Sequence, residues 1–201
     1  MTTGQQPRAA SVPPTRDPGR RYRICLVCMG NICRSPMAAS VLRTEAERAG
    51  LGDLVEVDSA GIGDWHEGER MDPRASAELA RRGYPGTGHR ARQIGPSWLA
   101  ERDLILAMDV QNLRALLRMA GSRHDMGHGR EDDRQGDRQG DRAGGARIRL
   151  LRSFDPGSPP GAEVPDPYLG DDSSFAHVLV LIEAAAKELA ARLAAMLARR
   201  A

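Results

Sequence analysis

The chain has 201 residues and a mass of 21.8 kDa, and its 29 basic and 27 acidic side chains leave a formal charge of +2. That length allows one globular domain with a real core. The charge balance excludes a general nucleic-acid binder, which needs a clustered basic excess. No apolar run approaches the roughly 18 residues of a membrane span, and the Arg-bearing N-terminus lacks the apolar stretch of a secretory leader. Three cysteines rule out a disulfide scaffold and point to a reducing, cytoplasmic setting. Lys187 is the one lysine and the other 28 basic residues are arginine, so any motif containing arginine is discounted for background.

Residues 1–20 are rich in Pro, Gly, Gln and Arg, show no periodicity, and read as a disordered tail. Residues 21–201 read as one domain. The run Tyr22 to Cys28 is short, apolar and partly β-branched, which predicts a buried strand. A turn-rich loop, Met29 to Arg34, follows. Ser35 before Pro36 has the form of a helix start, and Gly50 that of a helix end. Further strands are expected at Leu54–Val57, Asp103–Met108 and Arg147–Arg152. Helices are expected from Asp72-Pro73 to Gly83, over Val110–Met119, and from Ser173 to Arg200. Strands alternating with helices imply βαβ units and a parallel sheet, hence a single α/β domain.

Residues 122–146 break this rhythm. They repeat Gly-Asp-Arg-Gln, carry almost no core-forming side chain, and read as a disordered, solvated insertion. His124 and His128 lie four apart within it, but a segment without preformed geometry makes a poor metal site. No metal and no cofactor are expected.

Cys28 and Arg34 form a C-x5-R pair. With 3 cysteines and 28 arginines, roughly 0.4 such pairs arise by chance, so the spacing alone is weak. Its context is not. A loop between strand and helix gathers backbone N–H groups and the positive end of the helix dipole around one point. Gly30 permits close backbone approach and Asn31 tolerates left-handed backbone, so the loop can curl into an anion nest. A thiol at its centre is driven toward thiolate, and arginine suits bidentate contact with a tetrahedral oxyanion. The combination reads as metal-independent, thiol-based phosphoryl transfer. The Cys25-x2-Cys28 spacing is half a zinc site at most, because no second pair exists and the two face opposite sides of a strand. Cys25 reads as core.

The stretch Ile24 to Met37 (ICLVCMGNICRSPM) resembles the low-molecular-weight protein tyrosine phosphatases. The resemblance runs over about residues 22 to 195. It includes Asp58-Ser-Ala-Gly61, Gly63-Asp-Trp-His66, His89-Arg-Ala-Arg-Gln93, Ala107-Met-Asp109 and Asp166-Pro-Tyr168. It implies a three-layer fold with a four-stranded parallel sheet flanked by helices. It also implies Cys28 as nucleophile, Arg34 as phosphate clamp and Asp166 as general acid. Three Asp-Pro pairs occur, at Asp72, Asp155 and Asp166, and only the resemblance selects the third. The same resemblance assigns Met29, Gly30, Asn31, Ile32, Cys33 and Ser35 to the phosphate-binding loop and Ser59 and His89 to its support. Trp65 and Tyr168 become the cleft walls. Leu169 departs from the second tyrosine that often follows Asp-Pro-Tyr in the family.

The function implied is hydrolysis of phosphotyrosine and aryl phosphates through a cysteinyl phosphate. Phosphotyrosine-containing proteins are the expected partners of a monomer, with no nucleic acid and no membrane. Non-Sec export, known among bacterial relatives, stays open. An arsenate reductase on the same scaffold would need cysteines beyond Cys33, and none exists. A non-catalytic phosphotyrosine-binding module would have lost the nucleophile, the clamp or the acid, and all three are present. Phosphoarginine-specific relatives carry a small polar residue where this chain has Ile32, so phosphotyrosine is the expected choice.

Overall fold

A computed structural model describes residues 10–86, 88–121 and 147–200. The chain alternates strands and helices as their patterns require. In order these are β1 (Tyr22–Cys28), α1 (Arg34–Arg48), β2 (Val55–Gly61), α2 (Pro73–Arg81), α3 (Pro96–Glu101), β3 (Leu104–Ala107), α4 (Val110–Gly121), β4 (Ile148–Leu150) and α5 (Asp172–Leu197). The four strands form one parallel sheet in the order β2-β1-β3-β4, as expected of the fold class.

Alternation along β1 decides how the layers stack. Ile24, Leu26 and Cys28 face the larger core with Leu42 of α1 and Phe175, Leu179 and Ile182 of α5. Cys25 and Val27 face a smaller core with Ile105, Leu116 and Ile148, closed by α3 and α4. The sheet is therefore covered on both sides, which suits short, almost wholly apolar strands. β1 pairs with β2 on one side and β3 on the other, so the loops leaving its C-terminal end open at the point where the strand order reverses. That is where α/β sheets bind ligands.

Several boundaries move. β2 continues to Gly61 rather than stopping at Val57, because its polar residues have partners: Asp58 meets Arg102 and the Ser59 hydroxyl meets Asn31. Helix α1 begins at Arg34 with Cys33 as its cap residue, not at Ser35. The Ser35 hydroxyl is turned inward instead, toward Cys28 and the Ala60 carbonyl. β4 is shorter than expected and passes directly into a 3-10 turn at Leu151–Phe154. The six-residue α3 has too few turns to declare a period and was not expected. Asp72 does cap α2, accepting from the Arg74 N–H at 2.8 Å with Pro73 next to it, and Gly83 follows with a φ of +76°.

The disordered tail expected over residues 1–20 is corrected in its second half. Ala10 and Val12 pack on the larger core, and the buried Tyr22 hydroxyl donates to the Pro13 carbonyl at 2.9 Å. The Arg16 N–H donates to Asp103 Oδ1 at 2.5 Å, and its guanidinium donates to the Arg102 and Leu99 carbonyls. Composition hid this, since these bonds are made by backbone and one arginine rather than by a periodic apolar face. Residues 1–9 and the insertion at 122–146, with His124 and His128, lie outside the described residues. Among the described residues no helix is long and apolar enough to cross a membrane.

Candidate active site

Cys28 ends β1, and the chain must turn at once to enter α1. It does so through Asn31, the one described non-glycine residue with positive φ, at +57°. Asn31 tolerates this conformation because its short polar side chain finds local partners. Here they are structural. Its Nδ2 donates to Ser35 Oγ at 2.9 Å and to Ser59 Oγ at 3.0 Å, while its Oδ1 accepts from the Arg92 N–H at 3.0 Å. His89 Nε2 lies 2.7 Å from the Asn31 carbonyl oxygen. Burial holds the His89 pKa below the ordinary imidazole value, with the nearby arginines 92, 43 and 90 adding to the shift against the Asn31 hydrogen bond. Facing a carbonyl oxygen, Nε2 is the donor of this bond. Ser59 and His89 thus both bond Asn31 from behind the loop.

The curl brings donors to the thiol. The Asn31 N–H donates to Cys28 Sγ at 3.3 Å, and Ser35 Oγ lies 3.0 Å from the same sulfur. Cys28, Met29, Gly30, Ile32, Cys33, Arg34, Trp65, Asp166 and Tyr168 line one cleft of about 130 Å³. Asn31, Ser35, Ser59 and His89 form its floor and backing. Every residue the sequence singled out falls in one of these two groups.

Arg34 is buried, its side chain 4% exposed, between two carboxylates. Nη1 donates to Asp109 Oδ2 at 2.6 Å and to the Val164 carbonyl at 3.3 Å, and Nη2 meets Asp166 Oδ2. Asp109 also accepts the Asn112 N–H at 2.7 Å, capping α4, so it ties the guanidinium to a rigid element. Asp166, half exposed, stands at the opening. Cys33 is buried beside Asp72, Cys28 and Asp166. Burial first and those negative neighbours second push its thiol pKa far up, so it stays protonated.

The rim is aromatic. Trp65 and Tyr168 are 60% and 46% exposed, unusual for large rings, and His66 lies between them with ring centroids 6.5 and 6.4 Å away. Leu169 beside them is 96% exposed. Arg74 holds this edge in place. Its guanidinium donates to the Tyr168 and Gly170 carbonyls and to both oxygens of Asp72, and lies 4.6 Å over the Phe175 ring. Burial would raise the Asp72 carboxyl, but its bonds to Arg74 overcome that and hold its pKa low. The Asp72 N–H in turn donates to the Ile32 carbonyl at 2.9 Å, which links the loop to the segment carrying Asp166.

A family model described as low molecular weight phosphotyrosine protein phosphatase matches residues 23–128 and 132–199. The chain belongs to that family. The low molecular weight protein-tyrosine-phosphatase of Streptomyces coelicolor is 48% identical over 171 residues, 85% of this chain and 92% of the relative. Low molecular weight protein-tyrosine phosphatase A of Mycobacterium tuberculosis is 44% identical over 163 residues, covering 81% of this chain and 85% of that one. A protein tyrosine phosphatase structure from Entamoeba histolytica superposes with a TM-score of 0.71 at 28% identity, over 86% of this chain and 96% of that one.

In this phosphatase sequence reasoning missed four contributors: His66 on the rim, Asp109 behind the clamp, and the pair Asp72 and Arg74. Asp109 and His66 stood inside stretches that carried the resemblance, yet nothing in spacing said that Asp109 would pair with a residue 75 positions earlier. Arg74 was invisible among so many arginines.

Proposed function

We propose that this phosphatase hydrolyses phosphotyrosine in protein substrates, with Cys28 as nucleophile, Arg34 as clamp and Asp166 as acid and base. The observation that carries this reading is the meeting of the three in one cleft, with the Asn31 N–H donating to the sulfur and the Ser35 hydroxyl 3.0 Å from it. Cys28 sulfur attacks phosphorus, and the bond to the phenolic oxygen breaks as that oxygen takes the Asp166 proton. Arg34 and the loop amides hold the equatorial oxygens, where charge builds in the transition state. Water then attacks the phosphorus and loses a proton to the Asp166 carboxylate. The phosphorus–sulfur bond breaks, phosphate leaves, and no metal enters any step. Trp65, His66 and Tyr168 form a slot for an aryl ring. The low cysteine count supports a reducing, cytoplasmic setting, and the reading takes the enzyme as a monomer.

Ile32 supports an aryl substrate over phosphoarginine. It lines the cleft as a nearly buried apolar side chain, and a guanidinium's N–H groups against it would go unpaired at about 1–3 kcal/mol each. The test compares kcat/KM for matched phosphotyrosine and phosphoarginine peptides. A preference for phosphotyrosine of about tenfold or more is expected, and equal values would sink it.

Cys33 adds an expected redox behaviour. Peroxide converts the Cys28 thiolate to a sulfenic acid with loss of hydroxide. The negative neighbour that helped keep Cys33 protonated then disappears. Cys33 sulfur attacks the sulfenic sulfur, water leaves, and a disulfide forms across the loop. Peroxide-treated enzyme should recover most activity in dithiothreitol. Cys33→Ser should keep much of its turnover before treatment yet recover several-fold less afterwards. Equal recovery, with no Cys28–Cys33 disulfide in the mass spectrum, would reduce Cys33 to packing.

A further inference from the structure

The cleft does not end at its aromatic rim. A cavity of about 540 Å³ shares Ile32, His66 and Tyr168 with it and is lined on its far side by Arg70 and Arg90. Those arginines, with Met71, also line a second cavity of about 470 Å³, which reaches His89. A third, of about 370 Å³, continues past Arg90 and His89 to Arg92 and Arg43. Together they make one groove that leads away from the mouth and carries four arginines.

Its four arginines outnumber its acids. Three carboxylates line the groove, and each already has a partner. Glu69 lies 2.8 Å from His66, Asp72 is held by Arg74, and Asp58 is held by Arg102. Among the described residues no carboxylate pairs with Arg43, Arg70, Arg90 or Arg92. The guanidinium bonds of three of them go to main-chain carbonyls: Ala39 for Arg43, His89 for Arg90 and Ser59 for Arg92. Elsewhere the arginines Arg21, Arg23, Arg48, Arg81, Arg82, Arg152 and Arg192 each face an acid, whereas none of the four lining this groove is in such a pair.

We propose that this groove docks an acidic stretch of the substrate protein next to its phosphotyrosine, Arg70 and Arg90 taking the carboxylates nearest the mouth and Arg92 and Arg43 those further along. The proposal rests on the phosphatase reading and adds a substrate class to it. An extended segment advances about 3.3 Å per residue, so a phosphotyrosine seated over Cys28 carries its neighbours out along the mouth. Exposed guanidinium groups pair weakly one at a time. Several in a row give selectivity and faster encounter, both weakened by salt.

The experiment measures kcat/KM for phosphotyrosine peptides flanked by aspartates, on the N-terminal or C-terminal side, against the same peptides with asparagines. The wild-type enzyme at low salt should favour one aspartate peptide by about tenfold, and high salt should erase most of that preference. Arg70→Gln with Arg90→Gln should lose the preference while p-nitrophenyl phosphate, too small to reach the groove, turns over at the wild-type rate. Arg70→Glu with Arg90→Glu should reverse it toward lysine-flanked peptides. Equal wild-type rates for aspartate and asparagine peptides would overturn the docking proposal, as would an equal fall for every substrate in the Gln variant. Failure of the wild type to hydrolyse any phosphotyrosine peptide would instead overturn the phosphatase reading. Binding of the same peptides to Cys28→Ser, which needs no turnover, would then still judge the groove.

Discussion

Cys28→Ser lowers turnover of p-nitrophenyl phosphate by about 10⁴-fold or more, with the thermal midpoint nearly unchanged. The size of the loss follows from what surrounds the sulfur. A thiol supplies a nucleophile by ionising, and the Asn31 N–H and Ser35 hydroxyl are placed to receive the resulting charge. A serine hydroxyl would need a base to take its proton. Of the two imidazoles near the loop, His89 is committed to the Asn31 carbonyl on the far side and His66, on the rim, is paired with Glu69. Size and burial barely change, so the strand end still packs and Arg34 still binds oxyanions. Phosphate or tungstate should bind the variant with affinity close to wild type. A Cys28→Ser protein turning over near the wild-type rate would remove the whole mechanism.

Asp166→Asn lowers kcat for phosphotyrosine by about 10²–10³-fold and for p-nitrophenyl phosphate by distinctly less. Tyrosinate is a poor leaving group, the phenol having a pKa near ~10, whereas p-nitrophenolate departs with little help. Asparagine keeps the shape and can still accept from Arg34 Nη2, but it cannot give up or regain a proton. The contrast between the two substrates is the informative quantity. An equal loss for both would mean that Asp166 merely positions Arg34, and that the proton comes from elsewhere.

The parts of this protein that could be read in advance share a physical signature. β1 was legible because five consecutive buried positions must all be apolar, and α5 because its apolar residues recur over many turns. The loop was legible because Gly, Asn and Cys occur together where a strand meets a helix. Assignment of Asp166, Trp65 and Tyr168 needed the resemblance, since a lone Asp-Pro or a lone ring says little by itself. What stayed hidden was made by single long-range bonds. The attachment of residues 10–20, the Arg34–Asp109 pair and the Arg74 bridge each join segments far apart in sequence, and no local pattern announces such a partner. Ser35 shows the opposite failure. Its local pattern was that of a cap, yet the bond to the nucleophile's neighbourhood won over the bond to the helix.

Gly61 sits opposite Cys28 at the end of the β1–β2 ladder, and a side chain there would begin 2.9 Å from the Met29 carbonyl oxygen and 3.1 Å from the Gly30 carbonyl carbon. Beyond it the Ile62 and Gly63 N–H groups donate to the Cys28 and Met29 carbonyls, each at 3.0 Å. The first turn of the phosphate loop is thus zipped to the exit of the neighbouring strand and has no slack. Its shape is settled when the sheet closes, before any phosphate ester arrives, and the ester meets a mould that need not reorganise. The other wall, the segment of Asp166 and Tyr168, is held by side chains instead, by Arg34 at Asp166 and by Arg74 at the Tyr168 and Gly170 carbonyls. Main chain sets one side of the cleft, and side chains set the other.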